Sequence, residues 1–364
     1  MSQIRISRPR LAITRYLAEL HGKQIRLLGL RPLSGKAETG AIKGFGYGVP
    51  YLIRYRIGSK THEAVLETMK ENQFGHEYVA DRAASLVLAH DCFSKLPKHA
   101  RSIDVGMFAK DGSLKSLGNF SEFFILMEKV NGQEYWNDLN RIAKSWRLER
   151  LDLKRAKVLA YYLAEIHKVK RNDSVLYRRR IRDLIGHGEC IMGLTDSYPQ
   201  VTFTSPSELA QIEKKCIDWR WKLKGFSNRL SQVHGDFHPW NVMFRAGVDF
   251  TVLDRSRGEW GEPVDDVSAM AINYIFFSLK EKGEFSGPFT DLFNAFVNQY
   301  LEVTKEKDLF KVIQPFFAWR ALVLASPIWY PSLEQKVRRQ IFRFIHSVLD
   351  TEIFEPAKVN EYLN

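Results

Sequence analysis

The chain has 364 residues, 45% hydrophobic and 26% charged, enough to bury a substantial core in two domains or one two-lobed unit. Its formal net charge of +12 is scattered apart from Tyr177-Arg178-Arg179-Arg180 and Lys336-Val337-Arg338-Arg339; with no zinc-finger or RNP pattern beside it, solvated helix faces explain it better than a nucleic-acid surface. Three separated cysteines (Cys92, Cys190, Cys216) argue against a disulfide framework, MSQIRISRPR has no apolar signal core, and the longest apolar run, AMAINYIFF, is too short for a bilayer, so a cytoplasmic protein with no membrane partner is expected.

Residues 8–21 (RPRLAITRYLAELH) have apolar positions at Leu11, Ile13, Tyr16, Leu17 and Leu20, which predicts a helix stopped by Gly22. IRLLGLRPLSG then reads as a strand running into turn residues. Gly44, Gly46 and Gly48 follow, ahead of the strand-like YLIRYRIG. Alternating glycines between strands suit a loop whose backbone lies close over phosphates, although hairpin turns use the same residue. Residues 61–69 (THEAVLETM) predict the next strand. From Gly75 to Leu88 the pattern predicts a helix on which Glu77 shares the apolar face of Ala80, Ala84, Val87 and Leu88. A first-turn glutamate complementing the helix dipole is the alternative.

The run from Phe123 through Met127, Glu128 and Lys129 to Gly132 predicts a buried strand entering a turn. In residues 154–169, Ala156, Leu159, Leu163 and Ile166 hold helical register, with His167 read as a structural partner. A helix is expected from about 207 to 224, and after Asp266 the chain is helical and aromatic to its end. No repeat or low-complexity tract interrupts it.

The chemistry gathers in residues 230–268. His234-Gly235-Asp236-Phe237-His238-Pro239-Trp240-Asn241 precedes a predicted hairpin, then Leu253-Asp254, then Gly261-Glu262-Pro263-Val264-Asp265-Asp266. Phosphoryl transfer from ATP needs a carboxylate beside the acceptor hydroxyl and oxygen ligands for Mg²⁺. Asp236 and Asn241 stand five residues apart, the spacing of the protein-kinase catalytic loop. Asp236 alone also suits a capping residue in a tight turn; His238, Asn241 and Asp254 in register with it weigh against that. A zinc site is a rival use of two histidines and two aspartates, but structural zinc favours closed Cys and His sets and no cysteine lies nearby.

These motifs resemble the aminoglycoside phosphotransferase and choline kinase-like enzymes. Their signature runs H-G-D-x-H-x-x-N, a strand-borne I-D, then G-D-P-x-x-D, and here HGDFHPWN, VLD and GEPVDD follow in that order. The resemblance implies an α+β, bilobal protein kinase-like fold. Its small sheet-based N-lobe would cover residues 1–130 and its larger, mainly helical C-lobe residues 131–364. It implies Asp236 as catalytic base and Asn241 and Asp254 as Mg²⁺ ligands. His234 and His238 would support the loop, and Asp266 would anchor a helix start. ATP or GTP would lie with its phosphates under Gly44, Gly46 and Gly48 and its adenine against the backbone of Met127, Glu128 and Lys129. Glu77 would be the helix glutamate that pairs with a strand lysine.

The implied reaction moves the γ-phosphate to a hydroxyl of a small hydroxylated metabolite or antibiotic. The net charge favours a neutral or anionic metabolite over a polycationic drug. Three positions depart from the family pattern. Glu67 stands where the strand lysine or arginine is expected, leaving Lys70, Arg54 and Arg56 as replacement cations. Arg255 replaces the usual aromatic after the metal-binding aspartate, and Asp265 is an extra carboxylate. Glu67 makes a catalytically inactive, nucleotide-binding protein the alternative reading. A nucleic-acid-associated basic protein is the more remote one.

Overall fold

Helix α1 (Pro9–His21) forms where the apolar spacing predicts it and buries Ile13 and Leu17. The computed structural model describes residues 9–33, 48, 50–95 and 97–364. Its Cα framework divides into two units, Met1–Met127 and Glu128–Asn364.

In the first unit, β1 (Ile25–Pro32), β2 (Tyr51–Ile57) and β3 (Lys60–Leu66) form an antiparallel sheet in that order. A two-residue turn, Gly58-Ser59, closes β2 on β3, with Gly58 at the positive φ of 55° that such turns require. Alternation on β2 turns Ile53 and Tyr55 inward, where they join Ile13, Leu17, Ile25 and Leu114 in one core. Arg54 and Arg56 face outward, and Arg54 is taken by its cross-strand neighbour Glu63 at 2.8 Å. Glu67 and Lys70 lie exposed beyond the end of β3. Helix α2 (Val79–Phe93) and the hairpin β4 (Gly106–Phe108) with β5 (Leu114–Ser116) complete the unit.

Three expectations fail here. Glu77 is not on a helix: α2 begins two residues later, because Asp81 reaches back to accept from the Tyr78 backbone N–H at 2.7 Å and closes the cap there. The apolar stripe is not a core face either; among the described residues none of α2 is buried, and Leu88 is exposed. The run Phe123–Met127 is not a buried strand. Phe124 and Leu126 are 92% and 90% exposed, and among the described residues no strand pairs with them. A strand is stable only with a ladder partner, and β4 and β5 pair with each other. Gly44 and Gly46 fall outside the described residues. At Gly48 a Cβ would stand 2.0 Å from the Thr68 carbonyl oxygen, so the backbone approach there requires glycine.

The second unit opens with β6 (Gln133–Glu134), α3 (Trp136–Ser145), α4 (Arg150–His167), α5 (Ser174–Gly186), α6 (Ile191–Ser197) and α7 (Pro206–Leu223). Four short strands follow: β7 (Ser231–Gln232), β8 (Val242–Phe244), β9 (Phe250–Val252) and β10 (Trp260–Gly261). Helices α8 (Pro263–Lys282), α9 (Pro288–Thr304), α10 (Leu309–Val312), α11 (Gln314–Ala325), α12 (Gln335–Leu349) and α13 (Val359–Leu363) end the chain. β6, β8 and β9 form one antiparallel sheet, and β7 pairs antiparallel with β10. The architecture is α+β: small antiparallel sheets with a mainly helical second unit. Among the described residues no helix is long and apolar enough to cross a membrane.

Helix α8 is the axis of the second unit, buried at every residue from Pro263 to Leu279 and packed by α3, α4, α9 and α11. Its ends are written locally: Glu262 caps the N-terminus, Pro263 takes the first turn, and Gly283 closes the C-terminus at φ 75°. Glu262 also accepts from Tyr177 Oη at 2.9 Å and from Arg229 Nη2 at 2.7 Å, while Arg229 Nη1 reaches Glu306 at 2.8 Å. Removing one member of a buried ion pair strands the other. We expect Glu262→Ala to lose about 3–5 kcal/mol in urea unfolding; a loss below 1 kcal/mol would show the network to be dispensable.

Candidate active site

Between β7 and β8 the chain makes a tight excursion, and Asp266 in the first turn of α8 holds it. Its Oδ2 accepts from the His234 backbone N–H at 2.8 Å and its Oδ1 from that of Gly235 at 2.7 Å. His167 Nε2 approaches the same carboxylate at 3.1 Å, and Tyr300 Oη meets His167 Nδ1 at 2.8 Å. Burial pushes the Asp266 carboxyl up, but these donors prevail and hold it below the usual carboxylate range. Asp266 therefore anchors the loop, where the sequence suggested only a helix start. Gly235 sits at φ 89°, and a Cβ there would stand 3.1 Å from Arg257 Cβ. Phe237, fully buried, stacks on Tyr162 and pins the loop to α4. His234 is buried with its imidazole below the ordinary histidine value, chiefly by desolvation.

This frame presents Asp236. Its Oδ1 is paired with Arg320 Nη1 from α11, and Arg257 Nε lies 3.8 Å from the same oxygen. Its Oδ2 is 3.5 Å from His238 Nε2. Burial raises the carboxyl, but Arg320, His238 and Arg257 overcome it and keep Asp236 ionised, well below the usual range. A short 3-10 turn, Pro239–Asn241, capped by the His238 side chain, then delivers Asn241. Asn241 Nδ2 donates to the Asp236 carbonyl at 3.1 Å, and Leu253 N–H donates to the Asn241 carbonyl at 2.8 Å. Through the β8–β9 hairpin this ties Asp254 to the loop.

Asp254 has φ 55°, a left-handed conformation uncommon outside glycine. It lines a cavity of about 150 Å³ with Tyr162, Ile166, His234, Leu253 and Arg255. That volume is below the ~300 Å³ at which small-molecule sites begin. Arg255 is spent on backbone, donating to the Val233 and Glu259 carbonyls at 2.9 and 3.1 Å.

Asp236, Asn241, Asp254, His234, His238 and Asp266 thus converge in the second unit. Gly48, Glu77 and Met127 belong to the first, and Glu128 and Lys129 follow the division. Oxygen is what this set offers a cation. The Asn241 amide nitrogen is committed, which leaves its side-chain carbonyl oxygen and the Asp254 carboxylate as the oxygen donors. Two hard oxygen donors fit Mg²⁺, which takes few protein ligands and completes its shell with water and phosphate. Among the described residues no three His, Cys, Asp or Glu side chains are grouped to hold a metal.

Sequence reasoning missed Arg320 and Arg257. Trp319 carries Arg320 3.8 Å over its ring and Arg257 at 4.8 Å. The available signal was Arg320 itself, the one charge between Pro315 and Pro327 in an apolar run. A buried charge there needs partners. Trp240 stacks on Trp136 and meets Tyr330 edge-on, giving an aromatic shelf beside His238.

A family model described as APH, phosphotransferase enzyme family, matches residues 104–290, just over half of the chain. No curated protein matches the sequence. Solved structures similar to this chain include a glucosamine kinase in complex with glucosamine, ADP and inorganic phosphate, at 15% identity and TM-score 0.43. That match covers 64% of this chain and 63% of the kinase, so the chain spans less than two thirds of it. Crystal form A of glucosamine kinase matches at 12% identity and TM-score 0.42, over 90% of this chain and 92% of that one. An amicoumacin kinase in complex with AMP-PNP, Ca²⁺ and Ami matches at 13% identity and TM-score 0.42, over 90% and 94%.

Proposed function

This chain belongs to the phosphotransferase enzyme family, and on that premise we propose that it transfers the γ-phosphate of ATP or GTP to a hydroxyl of a small molecule. One observation supports the reading above the others: Asn241 donates to the Asp236 carbonyl and accepts from the backbone N–H of Leu253, the residue before Asp254. A base and two metal ligands are thereby held in fixed relation. Phosphoryl transfer asks for that, because its barrier is lowered by positioning and charge neutralisation more than by covalent participation.

In this reading Asp236 Oδ2 accepts the acceptor's hydroxyl and orients its oxygen toward the γ-phosphate. Asn241 and Asp254 hold Mg²⁺, which when bound offsets the negative charge of the phosphates. Gly48 and the Met127–Lys129 backbone are the proposed nucleotide contacts. Asp236 and Asp265 are both occupied by Arg320, so neither is a spare carboxylate that would grip a polycation. With the aromatic shelf, that supports a neutral or anionic hydroxylated metabolite with an apolar face, such as a sugar.

ATP and GTP consumption with Mg²⁺, measured across hydroxylated metabolites and antibiotics, tests the reading. Acceptor-dependent ADP or GDP release is expected. Tight nucleotide binding with no turnover across the panel would replace it by the inactive, binding-only alternative that Glu67 suggests. Asp254→Ala should weaken Mg²⁺-dependent nucleotide binding at least about tenfold by calorimetry, the scale of one charged hydrogen bond. The same Mg²⁺-dependent affinity in parent and variant would reduce Asp254 to a turn residue.

A further inference from the structure

Asp236 is gripped from outside its own motif. Arg320 is 7% exposed in the middle of α11, and its guanidinium is constrained on two edges and one face. Nη1 donates to Asp236 Oδ1, and Nη2 donates to Asp265 Oδ1 at 2.7 Å and to the Gly235 carbonyl at 3.2 Å. The plane lies over the Trp319 ring at 3.8 Å, and Trp319 is itself fixed by donating Nε1–H to the Glu189 carbonyl at 3.1 Å. Asp265, buried at the start of α8, is the carboxylate for which the family pattern has no use. Adjacent residues of one helical turn therefore serve one loop. Asp266 fixes the main chain of His234 and Gly235, and Asp265 fixes the arginine that fixes the Asp236 side chain.

We propose that Arg320, anchored by Asp265, is a positioning residue for Asp236, committing Oδ1 and leaving Oδ2 as the single oxygen that meets the acceptor hydroxyl. The inference rests on the transferase reading above. A carboxylate rotates readily about its terminal bond and presents either oxygen. An acceptor lined up with the γ-phosphate can use only one direction of approach. Both guanidiniums near the base, Arg320 and Arg257, fall on Oδ1, while Oδ2 has His238 at 3.5 Å. The planar fork of arginine can bridge two carboxylates and a carbonyl at once; a lysine ammonium cannot hold the same orientation.

The test uses the full chain, Mg²⁺, ATP and the best acceptor of the parent's panel. Arg320→Gln should lower kcat about 100-fold, the scale of a misplacement near 1 Å, with the Kd of Mg·ADP unchanged within threefold. Asp265→Asn should lower kcat about tenfold, and Arg320→Lys should recover about tenfold over Arg320→Gln. In an Asp236→Asn background, Arg320→Gln should change the remaining rate less than threefold, because the carboxylate base whose orientation it sets is no longer there. An equal loss in both backgrounds would mean a general structural role and overturn the proposal, as would Arg320→Gln with kcat within threefold of the parent. If Arg320→Gln is not recovered folded, Arg320→Lys decides: about tenfold below the parent with unchanged Mg·ADP affinity is expected, and parental kcat overturns the role. A parent with no turnover on any acceptor sinks the transferase reading itself, and the positioning role with it.

Discussion

Asp266→Ala should abolish phosphotransfer and remove several kcal/mol of stability together. The carboxylate is fully buried and serves three donors, the backbone N–H groups of His234 and Gly235 and the His167 imidazole. Alanine leaves all three without an acceptor in a dry site, at about 1–3 kcal/mol each. Against a total stability of roughly 5–15 kcal/mol this is a large fraction. The loop carrying Asp236 then loses both of its main-chain ties to α8. Asp266→Asn should fall between, since its oxygen can still accept while its amide turns a donor toward donors. Urea unfolding at neutral pH measures the effect, and an Asp266→Ala midpoint equal to the parent's would show that these bonds carry nothing.

The pH dependence has a definite sign. The Asp266 carboxyl is held below its ordinary value when folded, the surrounding donors prevailing over burial. Its contribution is therefore complete above the unfolded carboxylate value near 4 and is lost as pH falls through the lower folded value. The parent should lose stability in acid more steeply than Asp266→Ala.

Part of this was legible because it is local. Asp236, Asn241 and Asp254 lie within 19 residues, joined by one turn and one hairpin, so their spacing in the chain nearly fixes their spacing in the fold. The end signals of α8 are equally local, with Glu262-Pro263 before it and Gly283 after. What depends on distant partners could not be read. Phe123–Met127 has the composition of a buried strand, but composition does not supply the ladder that would make it one. The α2 stripe predicted a helix from Gly75, whereas the Asp81 cap starts it at Val79; a short-range hydrogen bond prevailed over apolar periodicity. Arg320 lies 84 positions beyond Asp236, and no pattern in either segment names the other. Asp265 became interpretable only with Arg320 beside it.

Asp236→Asn should fold, bind Mg·ATP with parental affinity and lose about 10²–10⁴ in acceptor-dependent kcat, the range for removing a general base. Two opposing arguments bear on the fold. Stripping one partner from a buried ion pair is ordinarily severe. Here Arg320 retains Asp265 at 2.7 Å and the Gly235 carbonyl, and the asparagine oxygen can still accept from Nη1, so the substitution orphans neither Nη1 nor Nη2. A stability loss of about 1–3 kcal/mol, that of one charge-assisted hydrogen bond, is the expected result. The catalytic loss is of another kind. The neutral amide is a weaker acceptor for the hydroxyl proton, and it presents its NH₂ where Oδ2 was, a donor turned on a donor. Nucleotide affinity should not follow, because the proposed metal ligands are Asn241 and Asp254, and the Asp236 backbone carbonyl that holds Asn241 is untouched. Calorimetry with Mg·ADP, urea unfolding and acceptor-dependent turnover on one preparation separate the three effects. Turnover within a fewfold of the parent would remove Asp236 from the role of base, and a parallel fall in nucleotide affinity would mean that the substitution had disturbed Asn241.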